Sequence, residues 1–141
     1  MPKKIKINTR LRTNYVNPSI DNKELNYREH GLKYSFEDYD STQCVGFDKW
    51  ESLGQLRPMF DKFFHYSKNC KFKSMFDKKF KTYPTFPDNS EFNFPENITK
   101  DALWASMHLG NKPCVIGHLI DNTFYIVFFD PEHKFYPVEK K

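Results

Sequence analysis

Apolar and β-branched residues are densest near the C-terminal end of the chain, over residues 103–137. Two short turn signals divide this stretch into three apolar runs, which predicts a three-stranded antiparallel meander. The clearer turn is Asp121-Asn122, which lies between the runs 114–120 and 123–129. Asp and Asn tolerate the positive φ of a tight hairpin turn, so this pair predicts a hairpin.

The first turn of the meander is Gly110-Asn111. Residues 99–107 before it fit two structures, a strand or a short helix whose start is capped by Thr99 or Asn97. The pattern leaves both open.

Counting outward from the two turns assigns the side chains of the meander to its faces, because successive strand residues point to opposite sides. His118 falls opposite Tyr125. One face is expected to carry Ala105, Met107, Cys114, Ile116, His118, Ile120, Thr123, Tyr125, Val127 and Phe129. The other is expected to carry Trp104, Ser106, His108, Val115, Gly117, Leu119, Phe124, Ile126, Phe128 and Asp130.

Upstream, residues 31–37 alternate apolar and polar side chains and predict a half-buried strand that adds to the sheet. A core-facing helix is predicted over 47–66, with Asp48 as its cap and a kink or break at Pro58. A second helix is predicted over 69–80. The apolar stripe of the first helix is Phe47, Trp50, Leu53, Leu56, Phe60, Phe63 and Phe64, and that of the second is Phe72, Met75, Phe76 and Phe80.

The remaining segments are predicted to lack regular structure. Residues 82–95 contain three prolines and predict a surface loop held by its phenylalanines. Residues 1–30 are polar and basic and predict a partly mobile arm. The chain is therefore expected to be that arm followed by one α+β domain over 31–141, in which two or three helices pack on a C-terminal antiparallel meander.

Composition limits the classes of function that fit the chain but does not identify one. The formal charge of +4 is compatible with attraction to RNA or DNA. No apolar run approaches the length needed to cross a membrane, and the basic N-terminus lacks the apolar core of a signal peptide, so a cytoplasmic protein is expected. The three cysteines, Cys44, Cys70 and Cys114, are far apart in sequence, which indicates neither a disulfide framework nor a zinc motif.

Lysines dominate the charge of residues 60–83 and interleave with aromatic residues. Such a face is typical of a platform for phosphates and stacked bases, although aromatic residues at helical spacing also fit a protein core. The candidate nucleic-acid-binding residues are Lys62, Lys68, Lys71, Lys73, Lys78, Lys79 and Lys81.

Asp130-Pro131-Glu132-His133 closes the meander. Pro131 ends the strand, and the spacing brings Asp130 near His133, where a carboxylate can orient an imidazole for general acid–base catalysis. Asp130 is equally suited to accepting hydrogen bonds from the amides of Glu132 or His133 in a plain turn. Too few further ligands are recognisable for a metal, so no metal and no cofactor are predicted.

The segment 117–137, with its Asp-Pro-x-His-x-x-Tyr-Pro ending, resembles the C-terminal signature of small uncharacterised bacterial and phage proteins. The helices followed by a meander also resemble RelE-type mRNA interferases at the level of fold. That second resemblance implies cleavage of RNA by side chains on the sheet and a small acidic antitoxin-like protein as partner. The implied catalytic residues are His118, Tyr125, His133 and Tyr136, with Arg57 or a lysine for the scissile phosphate, and Asp130 joins them as a candidate from its place beside His133. The chain has only four arginines, whereas interferases usually show an arginine-rich sheet.

Two functions remain open on the sequence alone. One is a non-catalytic module from a bacterial or mobile-element context that binds nucleic acid or a protein partner. The other is a metal-independent, toxin-type endoribonuclease. The enzyme requires His133, a second polar side chain and a basic group to converge in one cleft.

Overall fold

The computed structural model describes residues 31–68 and 76–137 of the protein. Its described elements are five strands and two helices, in the order β1, α1, α2, β2, β3, β4, β5. Their bounds are β1 Lys33–Ser35, α1 Phe47–Ser52, α2 Leu56–Lys68, β2 Phe80–Tyr83, β3 Leu103–His108, β4 Cys114–Ile120 and β5 Thr123–Asp130. The α+β class predicted from the sequence is confirmed. The basic arm predicted over 1–30 lies outside the described residues.

The strands form one sheet in the order β1-β5-β4-β3-β2. β2, β3, β4 and β5 pair antiparallel with their neighbours, whereas β1 pairs parallel with β5, so the sheet is mixed. Asp121 and Asn122 connect β4 to β5, and Asp121 adopts the positive φ, 53°, that such a turn favours. The sequence leaves residues 99–107 open between helix and strand, and the last five of them belong to strand β3.

Each face of the sheet is covered by different parts of the chain. The two helices cover one face, where Trp50 of α1 stacks on Phe129 with ring centroids 4.7 Å apart. The loop between β2 and β3 covers the other face, where Phe92 stacks on Phe128 at 4.3 Å. The predicted loop over 82–95 is thus held by its phenylalanines, although its first two residues belong to β2.

The faces predicted for the meander are partly wrong. His118 does pair with Tyr125, but His108 pairs with Cys114 across the first turn, which places Trp104, Ser106 and His108 on the face of His118. A β-bulge at Val127 then inserts one residue into β5. The bulge reverses the alternation beyond it, so Phe128 and Asp130 pair with Ile116 and Cys114, on the face of His118.

The predicted helix over 47–66 is two helices. The break lies at residues 53–55, where Gly54 has φ 77°, and Pro58 sits in the first turn of α2, where proline is tolerated. Asp48 is not the cap, because that position belongs to Gly46. The break also changes which side of α2 faces the sheet, so that Met59, Phe63 and Tyr66 are buried while Phe60 and Phe64 are exposed.

The second predicted helix, over 69–80, is wrong at its end. Phe80 begins strand β2 and pairs with Met107 of β3, and residues 69–75 lie outside the described residues. Phe80 and Phe76 do reach the core as expected, with ring centroids 4.9 Å apart, but Phe80 does so from a strand. Within the described ranges, neither helix is long and apolar enough to span a membrane.

Candidate functional site

The candidate catalytic residues lie in separate parts of the structure. Asp130, His133 and Tyr136 lie together at and beyond the end of β5. His118 and Tyr125 pair further along the sheet. His118 is four residues beyond Cys114 on β4, which separates it from the β5 end by about 13 Å. Arg57 is exposed near the start of α2.

His118 is held by its neighbours on several sides. Its Nε2 atom lies 2.8 Å from Oδ2 of Asp38, and its ring stacks on Tyr125 with centroids 5.0 Å apart. Asp38 follows β1 and was not singled out by the sequence. Only 5% of His118 is exposed, although the pair borders a cleft of about 370 Å³ that also includes Asp101. This arrangement fits a satisfied, buried histidine.

Asp130 organises the turn that follows β5. Its Oδ1 and Oδ2 atoms accept hydrogen bonds from the backbone amides of Lys134 and Phe135, at 2.9 and 2.8 Å. The side chain is almost fully buried, and burial raises its pKa against the lowering effect of those amides and of His133. Asp130 therefore accepts turn hydrogen bonds from amides two residues later than those predicted, and the backbone of Glu132 also lowers its pKa.

His133 points back from this turn to the end of β3. It has a positive φ of 63°, a conformation in which histidine is several-fold more common than most residues. Its Nδ1–H donates to the carbonyl of Tyr136 at 3.0 Å, which leaves Nε2 free as an acceptor. That atom lies 3.2 Å from Nε2 of His108, so His108 is the donor in this contact when both rings are neutral.

The environment of His108 favours its neutral form. Burial, followed by the charge of His133, lowers its pKa. Its other ring nitrogen, Nδ1, is buried and makes no hydrogen bond of good geometry, although backbone groups of Lys79 and Ser106 lie close enough to favour protonation slightly. His108 is therefore suited to exchanging a proton with its neighbour or to offering a nitrogen lone pair.

Cys114 lies close to His108 and His133. It pairs with His108 across β3 and β4 and is 1% exposed. Its sulfur lies close to both imidazoles. One donor atom from each of His108, Cys114 and His133 can be chosen so that all lie within 4.8 Å of one another. Burial raises the pKa of the Cys114 thiol to about 12, so the thiol is neutral unless a cation stabilises its anion.

A basic cleft of about 380 Å³ opens beside His108. It is lined by Lys62 of α2, by Lys78 and Lys79 before β2, and by the turn residues Gly110 and Asn111. Among the described residues that line it there is no carboxylate. Three of the seven candidate lysines therefore meet at one place, and the backbone of β2 and β3 brings them next to the histidine pair.

The other candidate lysines lie elsewhere. Lys81 of β2 projects over the ring of Tyr136, with Nζ 5.9 Å from the centroid, and 43% of Tyr136 is exposed. Lys68 is exposed at the end of α2. Lys71 and Lys73 fall outside the described residues.

Sequence reasoning missed the grouping of His108, Cys114 and His133. The spacing of these residues matches no metal motif, and the faces predicted for the meander put His108 and Cys114 on opposite sides. A five-residue connection between β3 and β4, read in place of a two-residue turn, is the signal that would have placed them together.

Comparison of the chain with protein-family models, with curated proteins and with solved structures found no match.

Proposed function

We propose that the protein is a small nucleic-acid-binding module that holds the phosphate backbone of single-stranded RNA in its basic cleft. The observation that carries this proposal is the meeting of Lys62, Lys78 and Lys79 around one cleft, whose described lining contains no carboxylate. Lysine ammonium groups so placed neutralise phosphates and release the counterions that surround them.

A nearby aromatic surface supports the same function. Tyr136 is exposed beside Lys81 and packs against Tyr83 with ring centroids 5.4 Å apart. An exposed ring next to lysines is the usual platform for a stacked base. The backbone carbonyl of Tyr136 accepts a hydrogen bond from His133, which ties this segment to the turn held by Asp130.

The proposal is tested by fluorescence anisotropy of a labelled single-stranded RNA over a series of salt concentrations. If the three lysines each neutralise one phosphate, the logarithm of the association constant should fall against the logarithm of salt concentration with a slope of about −2. Absence of binding at low salt, or binding that does not change with salt, would contradict the proposal.

The second candidate function is metal-independent cleavage of that RNA, which agrees with the resemblance to RelE-type interferases. It is favoured by one observation, the contact between His133 and His108, the second of which lines the lysine cleft. One imidazole would accept the proton of a 2′-hydroxyl, whose oxygen attacks phosphorus, while the other protonates the departing 5′-oxygen. The lysines would stabilise the charge of the phosphorane.

This second candidate has its own test. Cleavage by this route leaves a 2′,3′-cyclic phosphate and a 5′-hydroxyl, and it continues in the presence of a chelator. His133→Asn should abolish the cyclic product while RNA binding persists, because the lysines are unchanged. Intact RNA after prolonged incubation with the wild-type protein would reject cleavage and leave the binding module standing.

A further inference from the structure

The side chains of His108, Cys114 and His133 form a cluster of possible metal ligands that the lysines of the proposed RNA-binding cleft do not account for. His108 ends β3, Cys114 begins β4 directly opposite, and His133 reaches over both from the turn after β5. Three separate parts of the chain thus present two imidazoles and one thiol to a common point.

The spacing of the two imidazoles matches that of metal ligands. Two nitrogens that bind zinc at about 2.0–2.1 Å with tetrahedral angles lie about 3.3 Å apart, and the two Nε2 atoms here are 3.2 Å apart. Sulfur bound at about 2.3 Å would lie about 3.6 Å from each nitrogen. The thiol lies within 4.8 Å of one nitrogen of each imidazole, so a side-chain adjustment on the order of 1 Å is needed to reach the zinc distances.

The surroundings orient His133 as zinc sites require. Ligand histidines almost always donate their second ring N–H to a carbonyl or carboxylate, and Nδ1 of His133 donates to the carbonyl of Tyr136 at 3.0 Å. The turn that carries His133 is fixed by the two amide hydrogen bonds to Asp130. Those bonds occupy both oxygens of Asp130, so this carboxylate holds the turn and is not counted as a ligand.

We propose that His108, Cys114 and His133 bind one Zn²⁺ ion, with a water molecule in the fourth position. One thiolate with two imidazoles is a ligand set that zinc favours, and three protein ligands with one open position is the arrangement found in catalytic zinc sites. On binding, the thiol of Cys114 gives its proton to solvent, and the proton of His108 moves from Nε2 to Nδ1. The metal joins the ends of β3 and β4 to the turn after β5.

The proposal is independent of RNA binding, which rests on the lysines. It does exclude the second candidate function in the zinc-loaded protein, because the metal engages the Nε2 atoms that metal-free cleavage needs. Zinc binding with no RNA binding would therefore leave this inference intact, and RNA binding by zinc-free protein would leave the proposed function intact.

The test measures zinc in the full-length protein. Protein equilibrated with Zn²⁺ and passed over a chelating resin is analysed for metal content, and its affinity is measured by competition with a chromophoric chelator. The same protein loaded with Co²⁺ should show the visible bands of a tetrahedral site and a thiolate-to-metal charge-transfer band. We expect about one metal ion per chain.

The variants are Cys114→Ser and His133→Asn, with Cys44→Ser and Cys70→Ser as controls. Asn tolerates the positive φ of His133, so the turn should persist, and circular dichroism checks the fold. Both ligand variants should lose zinc affinity at least about 100-fold, beyond the roughly 10- to 100-fold typical of removing a group that only orients a ligand. The charge-transfer band should vanish in Cys114→Ser alone among the cysteine variants.

Three results would overturn the proposal. The first is wild-type protein that keeps no zinc after the resin. The second is folded His133→Asn that binds zinc as the wild type does, which decides the question even if Cys114→Ser fails to fold. The third is a charge-transfer band that survives in Cys114→Ser or disappears in a control.

Discussion

Nε2 of His108 and Nε2 of His133 lie 3.2 Å apart, although the two residues are 25 positions apart in the chain. The contact joins the end of β3 to the turn after β5, and this turn therefore crosses the first residue of β4, Cys114. His108 consequently borders the basic cleft, and both histidines belong to the proposed zinc ligand set. The turn that positions His133 determines whether either arrangement forms.

Asp130→Asn should destabilise the fold by about 1–3 kcal/mol in urea denaturation, because the amide keeps one acceptor oxygen and turns an N–H₂ toward the second backbone amide. The affected bonds are those from Lys134 and Phe135. Asp88→Asn, at an exposed position, should stay within about 0.5 kcal/mol of wild type. Equal stability of the two variants would mean that Asp130 does not hold the turn.

Gly117→Ala should also lower stability, by about 1–3 kcal/mol, since there is no space for a methyl group in β4. A Cβ at this position would lie 2.1 Å from the carbonyl oxygen of Tyr125 and 2.9 Å from the ring of Phe124. Gly110→Ala is the matched control, because its Cβ would meet only Pro113 at 3.7 Å. Thermal melting of both variants tests the β4–β5 register, and an unchanged melting temperature for Gly117→Ala would show that register to be wrong.

Adjacent phenylalanines on α2 should respond very differently to truncation. Phe63 is 5% exposed and stacks on Tyr34 with centroids 4.0 Å apart, whereas Phe64 is 59% exposed. Phe63→Ala should cost about 3–5 kcal/mol, and Phe64→Ala should change stability by no more than about 0.5 kcal/mol. Chemical denaturation of the pair decides which face of α2 packs on the sheet. Similarly large costs for both variants would restore the stripe predicted from the sequence, which included both residues.

The sequence predicted those elements whose local pattern agrees with their environment. The hairpin at Asp121-Asn122 follows from two β-rich runs and a turn pair that accepts a positive φ. The sequence located helical structure over 47–66 but did not predict which face is buried. The break at Gly54 separates two amphipathic patterns, which the prediction treated as one continuous helix. A pattern of period 3.6 carries no information on such a change of phase.

The sequence did not predict strand β2 or the cluster of His108, Cys114 and His133, and the reasons are related. Phe76 and Phe80 lie four residues apart, as on one helix face, yet Phe80 is buried from a strand whose pairing with β3 is a tertiary interaction. Likewise, the cluster of His108, Cys114 and His133 depends on the register across the first turn and on a backbone reversal at His133. Neither feature can be recognised from neighbouring residues in the sequence. The excess of lysine over residues 60–83 can be recognised in this way.

The most direct test of the binding function compares two triple variants of equal charge. Lys62→Glu with Lys78→Glu and Lys79→Glu reverses the basic cleft, and its control is Lys33→Glu with Lys49→Glu and Lys100→Glu, exposed lysines that do not line the cleft. Circular dichroism confirms that both fold, and RNA affinity is measured by anisotropy at low salt. The proposed function predicts at least about tenfold weaker binding and a loss of most of the salt dependence in the cleft variant, with only a small change in the control. Equal effects of the two variants would contradict it, because net charge alone would then explain the affinity.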